Sequence, residues 1–326
     1  MRIVSYMLGG LCPLDHMAIE NLILETWEGR EAALLFYING PSVVIGRNQN
    51  PWREAAPGTG LPLFRRCSGG GAVYHDEGNL NWALIVPRAL HSQDAELAMV
   101  AAAISAQGVD AVPGPRGGLY CGTASPHEGR KLSGTARRFG IRNVLHHGTL
   151  LVNADMDRLH ASLGGIATFD DLSLRSVSAS PINLSALNPA VAMDSLIDGL
   201  SQRLSGAPTQ SLPATVVDPT REEQEKRKLS SFEWIYSSTA PFSVRLTGPG
   251  EGFAVRVEKG LIAAISSGGP DSSMAAVGSS VTDGLGSTDD WSAHYGEGDI
   301  SCLSDYRGRP FSFSIYESMI AAIRAR

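Results

Sequence analysis

Arg65-Arg66-Cys67-Ser68-Gly69-Gly70-Gly71-Ala72-Val73-Tyr74-His75-Asp76 decides how the rest of the chain is read. Consecutive glycines carry no Cβ, so the backbone can take positive φ and a ligand can touch the main chain itself. Successive exposed N–H groups in such a turn form an anion-binding concavity. The arginines just before it have the planar donor fork suited to phosphate. Leu61-Pro62-Leu63-Phe64 upstream and Ala72-Val73-Tyr74 downstream have strand character, so the expectation is strand, glycine turn, strand. No Gly-Lys-Ser/Thr follows, so the stretch does not match a P-loop. No helical pattern opens behind the glycines, so it does not match a dinucleotide fingerprint either. The competing reading is a tight hairpin turn with two solvated arginines.

The surrounding composition bounds what such a turn can serve. At 326 residues the chain is long enough for about two domains. A hydrophobic content of 43% and a charged content of 18% are those of a globular protein. A formal net charge of −6 argues against a nucleic-acid binder driven by bulk electrostatics, although an acidic enzyme can still hold a basic pocket. The first residues lack a signal-peptide pattern, and no apolar run reaches membrane-spanning length. Cys12, Cys67, Cys121 and Cys302 are widely spaced without a CxxC pair. That fits a reducing cytoplasm better than a disulfide scaffold or a zinc site.

Outward from the glycines, short strands predominate. Strands are expected over residues 1–7, 33–38, 42–47, 79–86 and 144–152, with Asn48 to Trp52 as a loop. A helix begins at Pro13, its apolar residues recurring near helical spacing and Glu20 and Glu25 on the other side. Further helices are expected over 95–106, 155–163, 190–204 and 220–231, the last capped by Thr220. Many strands in sequence with one early helix indicate a mixed or antiparallel sheet rather than a doubly wound one. Composition turns Gly- and Ser-rich after Phe232-Glu233-Trp234-Ile235-Tyr236, with three strand-like runs and a terminal helix over 316–326. The expectation is an α+β catalytic domain over 1–238 and a small α+β accessory domain over 239–326.

Four segments in order carry a resemblance. They are Val43 to Glu54, Arg65 to Asn79, Arg130-Lys131-Leu132-Ser133-Gly134-Thr135-Ala136, and His146-His147-Gly148-Thr149-Leu150-Leu151-Val152-Asn153-Ala154-Asp155. Together they resemble lipoate–protein ligases, within the wider family of biotin ligases and octanoyltransferases. The resemblance implies a catalytic domain of the biotin/lipoyl ligase type and a two-step reaction. Lipoate and ATP, with Mg²⁺ held through the phosphates, would give lipoyl-AMP. The lipoyl group would pass to a lysine on a lipoyl-accepting domain of a 2-oxoacid dehydrogenase E2 subunit or a glycine-cleavage H protein. It implies neither a nucleic acid nor a membrane as partner.

Carried over by position, Arg66, Gly71, Ala72, Val73, Tyr74 and Lys131 would contact the nucleotide. Lys131, Gly69, Gly70 and His147 would contact lipoate, and no side chain is assigned to a metal. The chemistry agrees: joining a carboxylate to a phosphate brings two anions together, and a fixed cation offsets that repulsion where charge builds. A lysine ammonium, compact and with rotatable donors, can follow the reacting oxygen through both steps. The aliphatic chain needs a narrow apolar slot. Arg175-Ser176-Val177-Ser178 resembles the mobile loop that closes over the adenylate in these ligases, with a plain exposed loop as its alternative. His146 and His147 are adjacent on a strand and point to opposite faces, so they do not share a metal ion. His75 and Asp76 are expected to pin the end of the glycine turn, and Asn79 to tether it.

Cys121 supports a different chemistry. Related transferases hold the acyl group as a thioester on a cysteine shortly before the family lysine, without ATP. Against this, the Gly122-Thr123-Ala124 context is unlike the usual transferase segment. A third reading is a homologue that holds an acyl-adenylate or a lipoyl domain without turnover. The intact Lys131 and glycine turn argue against it.

Overall fold

A computed structural model describes residues 2–29, 31–247, 252–268 and 305–324. Cys302 and part of the Gly/Ser-rich tract lie outside the described residues. The architecture is α+β with mixed sheets. The largest sheet has the strand order Thr135–Phe139, Asn143–Leu151, Asn79–Pro87, Ala32–Ile38, Ile3–Met7 and Gln210–Ser211. The first four pair antiparallel, and the last two join parallel.

Both faces of this sheet are covered, and the alternation along one strand shows it. Leu34 and Phe36 of Ala32–Ile38 join a cluster with Leu97, Val100 and Ile104 of helix Gln93–Ser105. Ala33, Leu35 and Tyr37 join Leu22, Ile23 and Leu24 of helix Pro13–Thr26 on the other face. A strand buried on both sides reads as a continuous apolar run, which is how Ala32–Ile38 appears in sequence.

Two small sheets carry the motifs. Ser42–Ile45 lies between Leu63–Arg65, parallel to it, and Val73–His75, antiparallel. The strands flanking the glycine turn therefore pair with a third strand and not with each other, so the turn is a crossover rather than a hairpin. The other small sheet is Ala111–Pro113, Leu119–Cys121 and Lys131–Ser133.

A four-stranded sheet follows in the order Thr168–Phe169, Phe242–Thr247, Gly252–Glu258 and Leu261–Gly268. Helix Phe313–Arg324 packs with it through Met319. Its apolar cluster also takes in Trp52, whose indole N–H donates to the Phe311 carbonyl at 3.1 Å. Arg65 ties the connecting segment down. Its guanidinium is fully buried and donates to the carbonyls of Ile235, Arg47 and Gln49 and to Thr239 Oγ1.

Three local expectations change. Residues Pro51–Glu54 form a short helix rather than a loop, because Asn50 accepts from the Trp52 N–H and Pro51 presets the first φ. The charged helix runs Pro219–Leu229 and is capped by Asp218, not Thr220, for the same reason. Glu20 is not on a solvated side of its helix: it is 2% exposed and faces the site. Among the described residues, no helix is long and apolar enough to cross a membrane.

Candidate active site

The glycine turn crosses the end of strand Ser42–Ile45, and each glycine has its own role. Gly70 has φ +85°, a conformation in which a Cβ is strained. Gly71 is approached by Ser176 Oγ, which would lie 3.1 Å from an added Cβ. Gly69 has neither constraint. Gly46 completes the packing, because a Cβ there would collide with the Gly70 carbonyl oxygen.

Arg66 is the brace of this turn. Its Nη2 donates to the carbonyls of Gly69 at 2.6 Å and Gly71 at 2.8 Å, its Nη1 to Val44, and its Nε to Ser68 Oγ at 3.0 Å. Burial pulls its pKa down to about 10, which leaves it charged at neutral pH. Most of its donors are committed to the protein, so its main work is to hold the carbonyls inward. Burial, then Glu20, pushes the neighbouring Cys67 thiol up to about 12, which leaves it protonated and unreactive.

Two adjoining cavities open beside the turn, of about 290 Å³ and about 500 Å³. The first is lined by Met17, Glu20, Tyr37, His147, Gly70 and Gly71, among others. The second is lined by Tyr74, Leu159, His160 and Leu163, among others. Ala72, Val73, Lys131, Gly134, Thr149 and residues 175–179 line both. The sequence-predicted residues Arg66, Gly70, Gly71, Ala72, Val73, Tyr74, Lys131 and His147 are thus brought together around one double cavity, while Gly69 lines neither part.

Lys131 stands at the shared wall. Its strand is fixed to the following segment, because its N–H donates to the Ser180 carbonyl and its carbonyl accepts from the Ile182 N–H. Burial, and then the like charge of Arg116, pulls its pKa below the ordinary lysine value. Arg116 lines the first cavity and sits at φ 57°. In sequence, Pro113-Gly114-Pro115-Arg116-Gly117-Gly118 reads only as a break between elements. The signal was a charged residue where a turn forces a left-handed conformation.

The first cavity presents mostly apolar surface, with several buried polar side chains in its wall. Its polar groups are turned to one another: Tyr37 Oη donates to Glu20 at 2.7 Å, His147 Nδ1 lies 3.1 Å from the same carboxylate, and Asn39 Nδ2 lies 2.8 Å from His75 Nδ1. Burial, then Arg66, pulls the His75 ring down to about 3, so it is neutral. His146 faces the other side of the sheet, as expected, with Nδ1 2.7 Å from Glu96. His75 and Asp76 do not bond each other. Asp76 instead accepts from the N–H groups of Gly78 and Asp155. Asn79 reaches Asn81 rather than the glycine turn. Arg47 stacks on Trp234, its guanidinium carbon 4.3 Å from the ring centre.

The segment after Thr168 straps across the site. The Asp171 side chain is wholly buried and takes Arg53 Nη1 at 2.6 Å. Leu174 N–H donates to the Asn48 carbonyl, and Ser176 Oγ accepts from the Ala72 N–H at 2.9 Å. Cys121 lies elsewhere: it is 2% exposed, belongs to the core cluster behind the site, and lines neither cavity. Burial pushes its thiol pKa up. Among the described residues, no cluster of three or more His, Cys, Asp or Glu is arranged to hold a metal ion.

This geometry coincides with a known family. Residues 12–205 match the model of the lipoyl protein ligase A/B catalytic domain. The chain belongs to that family, and it is an enzyme of the lipoate–protein ligase kind. It is 30% identical over 260 residues, 75% of each chain, to a lipoate-protein ligase A from Bdellovibrio bacteriovorus. Among solved structures it resembles P. falciparum LipL1 in complex with lipoate, with a TM-score of 0.61, 20% identity and coverage of 81% and 84% of the two chains. It also resembles a lipoate-protein ligase A bound with ATP, with a TM-score of 0.55, 24% identity and coverage of 72% and 98%. A third likeness is to the bi-partite ligase of Thermoplasma acidophilum, described with its E2 lipoyl domain, with a TM-score of 0.56, 23% identity and coverage of 72% and 95%. At these identities the structural likeness is one of fold.

Proposed function

We propose that the protein is an ATP-dependent lipoate–protein ligase, which activates lipoate as lipoyl-AMP and passes the lipoyl group to a lysine of a lipoyl-accepting domain. The observation that carries this reading is the place of Lys131 on the wall shared by two cavities, with Cys121 in neither. We assign the acyl chain to the cavity lined by Met17, Gly70 and His147. The nucleotide takes the cavity lined by Ala72, Val73 and Tyr74, with Gly71 at the border. Arg66 serves the phosphates by shaping the turn.

In the first half-reaction a lipoate carboxylate oxygen bonds to the α-phosphorus of ATP, the α–β bond breaks, and pyrophosphate leaves. In the second, the acceptor amine bonds to the acyl carbon, the bond from that carbon to the AMP oxygen breaks, and the amine loses a proton. Negative charge builds at one junction in both steps, and Lys131 is the cation fixed there. Magnesium supplies charge neutralisation when bound. The lining carboxylates Glu20 and Glu54 are already engaged by Tyr37 and Arg53, so the phosphates rather than a protein cage would hold the ion.

The acceptors that fit are E2 lipoyl domains or a glycine-cleavage H protein, in keeping with the Thermoplasma ligase described with its E2 lipoyl domain. We divide the chain into a catalytic unit over 1–238 and an accessory unit over 239–326. We place the reaction in the cytoplasm, in keeping with the free thiols of Cys12, Cys67 and Cys121. Lipoate-dependent exchange of labelled pyrophosphate into ATP tests the first step. Exchange that needs lipoate and is lost in Lys131→Ala supports the reading, and no exchange in the wild type contradicts it.

A further inference from the structure

A continuous hydrogen-bond chain runs from the wall of the first cavity to the glycine turn. Tyr37 Oη donates to Glu20 at 2.7 Å, and both oxygens of Glu20 lie 3.1 Å from His147 Nδ1. His147 Nε2 lies 2.7 Å from Ser68 Oγ. Ser68 Oγ accepts from Arg66 Nε at 3.0 Å, and Arg66 Nη2 donates to the Gly69 and Gly71 carbonyls. Glu20 is 2% exposed, Ser68 1%, His147 7% and Arg66 8%, so water scarcely competes for these bonds.

With a neutral His147, donation runs one way along the whole chain. A carboxylate only accepts, so the single ring proton then sits on Nδ1 and Nε2 is an acceptor. Ser68 then donates its hydroxyl proton to His147 and uses a lone pair for Arg66. Every donor has an acceptor in this arrangement. In the other neutral tautomer, two acceptors face each other at Glu20 and Nδ1. Bonds aligned in this way polarise one another in a low dielectric.

The connectivity is also that of a Ser-His-Glu nucleophile system. Ser68 lines neither cavity, however, and its oxygen already holds Arg66. An acyl carbon has no route to it.

We infer that Glu20 and Ser68 are positioning residues, which together with His147 and Arg66 couple occupancy of the acyl cavity to the shape of the glycine turn and so to Ala72 and Val73 beyond it, which also line the nucleotide cavity. Glu20, His147 and Arg66 all line the acyl cavity, and Arg66 fixes the carbonyls of Gly69 and Gly71, just before Ala72 and Val73 reach the nucleotide cavity. An acyl chain that presses on His147 therefore moves Ser68 and, through it, the brace of the turn. This inference rests on the assignment of the two cavities made above.

Two measurements on the full chain test it. Side-chain ¹⁵N–¹H correlation spectra of the ligand-free wild type should show His147 protonated at Nδ1 and bare at Nε2. A proton on Nε2 overturns the relay whether or not any ligand binds. Binding of a non-hydrolysable ATP analogue is then measured with and without saturating lipoate. The wild type should bind it roughly tenfold more tightly with lipoate present. Ser68→Ala, at a residue that lines neither cavity, should bring that ratio close to unity while each ligand still binds. An unchanged ratio in a folded Ser68→Ala variant overturns the coupling. If the wild type binds neither ligand, the functional assignment fails instead, and the tautomer alone decides the relay.

Discussion

Ser176 Oγ accepts a hydrogen bond from the Ala72 N–H at 2.9 Å, joining two residues 104 positions apart in the chain. The bond closes the strap over the glycine turn and occupies the first free amide after the glycines. Gln49 Nε2 donates to the same hydroxyl at 3.0 Å, which fixes it from the other side. A net hydrogen bond contributes about 1 kcal/mol. Ser176→Ala should therefore speed amide exchange at Ala72 roughly fivefold. Hydrogen-exchange mass spectrometry of the ligand-free protein measures this, and unchanged protection of the 70–74 peptide contradicts it.

The strap has a second anchor in Arg53 and Asp171. Burial raises the Asp171 pKa, but hydrogen bonds from Ser173 and Thr168 and the charge of Arg53 outweigh it, leaving the carboxyl below its ordinary value. A depressed folded pKa contributes stability above the unfolded value of about 4 that is lost as pH falls through the folded value. Asp171→Asn leaves Arg53 with Glu54 as its remaining carboxylate partner and should cost about 2 kcal/mol at neutral pH. The loss relative to wild type should shrink in acid below the folded pKa. Denaturant unfolding at neutral and acidic pH reads both effects.

The glycines are not equivalent. Gly70→Ala forces an L side chain to φ +85°, with its Cβ 3.0 Å from Arg66 Nη2. The backbone cost alone is about 1–2 kcal/mol. Adenylation, followed by pyrophosphate exchange, should fall roughly tenfold or more. Gly69→Ala meets nothing within 4 Å and should stay within about twofold of wild type. Equal losses in the two variants would contradict the assigned roles.

The proposed mechanism needs Lys131 charged, and burial together with Arg116 disfavours that charge. Removing the like charge in Arg116→Ala raises the Lys131 pKa. The descending alkaline limb of kcat/KM for adenylation should therefore move to higher pH. An unmoved limb, or one shifted to lower pH, contradicts the electrostatic link between the two residues.

Much of this was readable in sequence because the motifs are local. The glycines, Lys131 and the His146-His147 pair sit in short segments whose chemistry is fixed by residue type. Opposite facing of the two histidines follows from strand period alone, and the structure places them against Glu96 and Glu20 on opposite sides. What sequence could not yield depends on long-range packing. Glu20 reads as the polar side of a helix, and only the docking of that helix on Tyr37 and His147 turns it inward. Arg66 reads as a phosphate ligand, yet the crossover geometry of the turn gives its donors to carbonyls. Pairing of the flanking strands with Ser42–Ile45, rather than with each other, is a tertiary choice that no local pattern announces. Likewise, the capping positions Asn50 and Asp218 were hidden by the stronger apparent signals beside them.

The proposed reaction stands on activation of the acyl group beside Lys131 by AMP, and not on Cys121. Purified protein, an apo lipoyl domain and lipoate, incubated with and without ATP and followed by intact mass, test it most directly. One lipoyl addition per acceptor domain is expected with ATP and none without. None is expected in Lys131→Ala, and full modification in Cys121→Ala. Modification without ATP from an octanoyl-protein donor, or loss of ATP-dependent modification in Cys121→Ala, would contradict it.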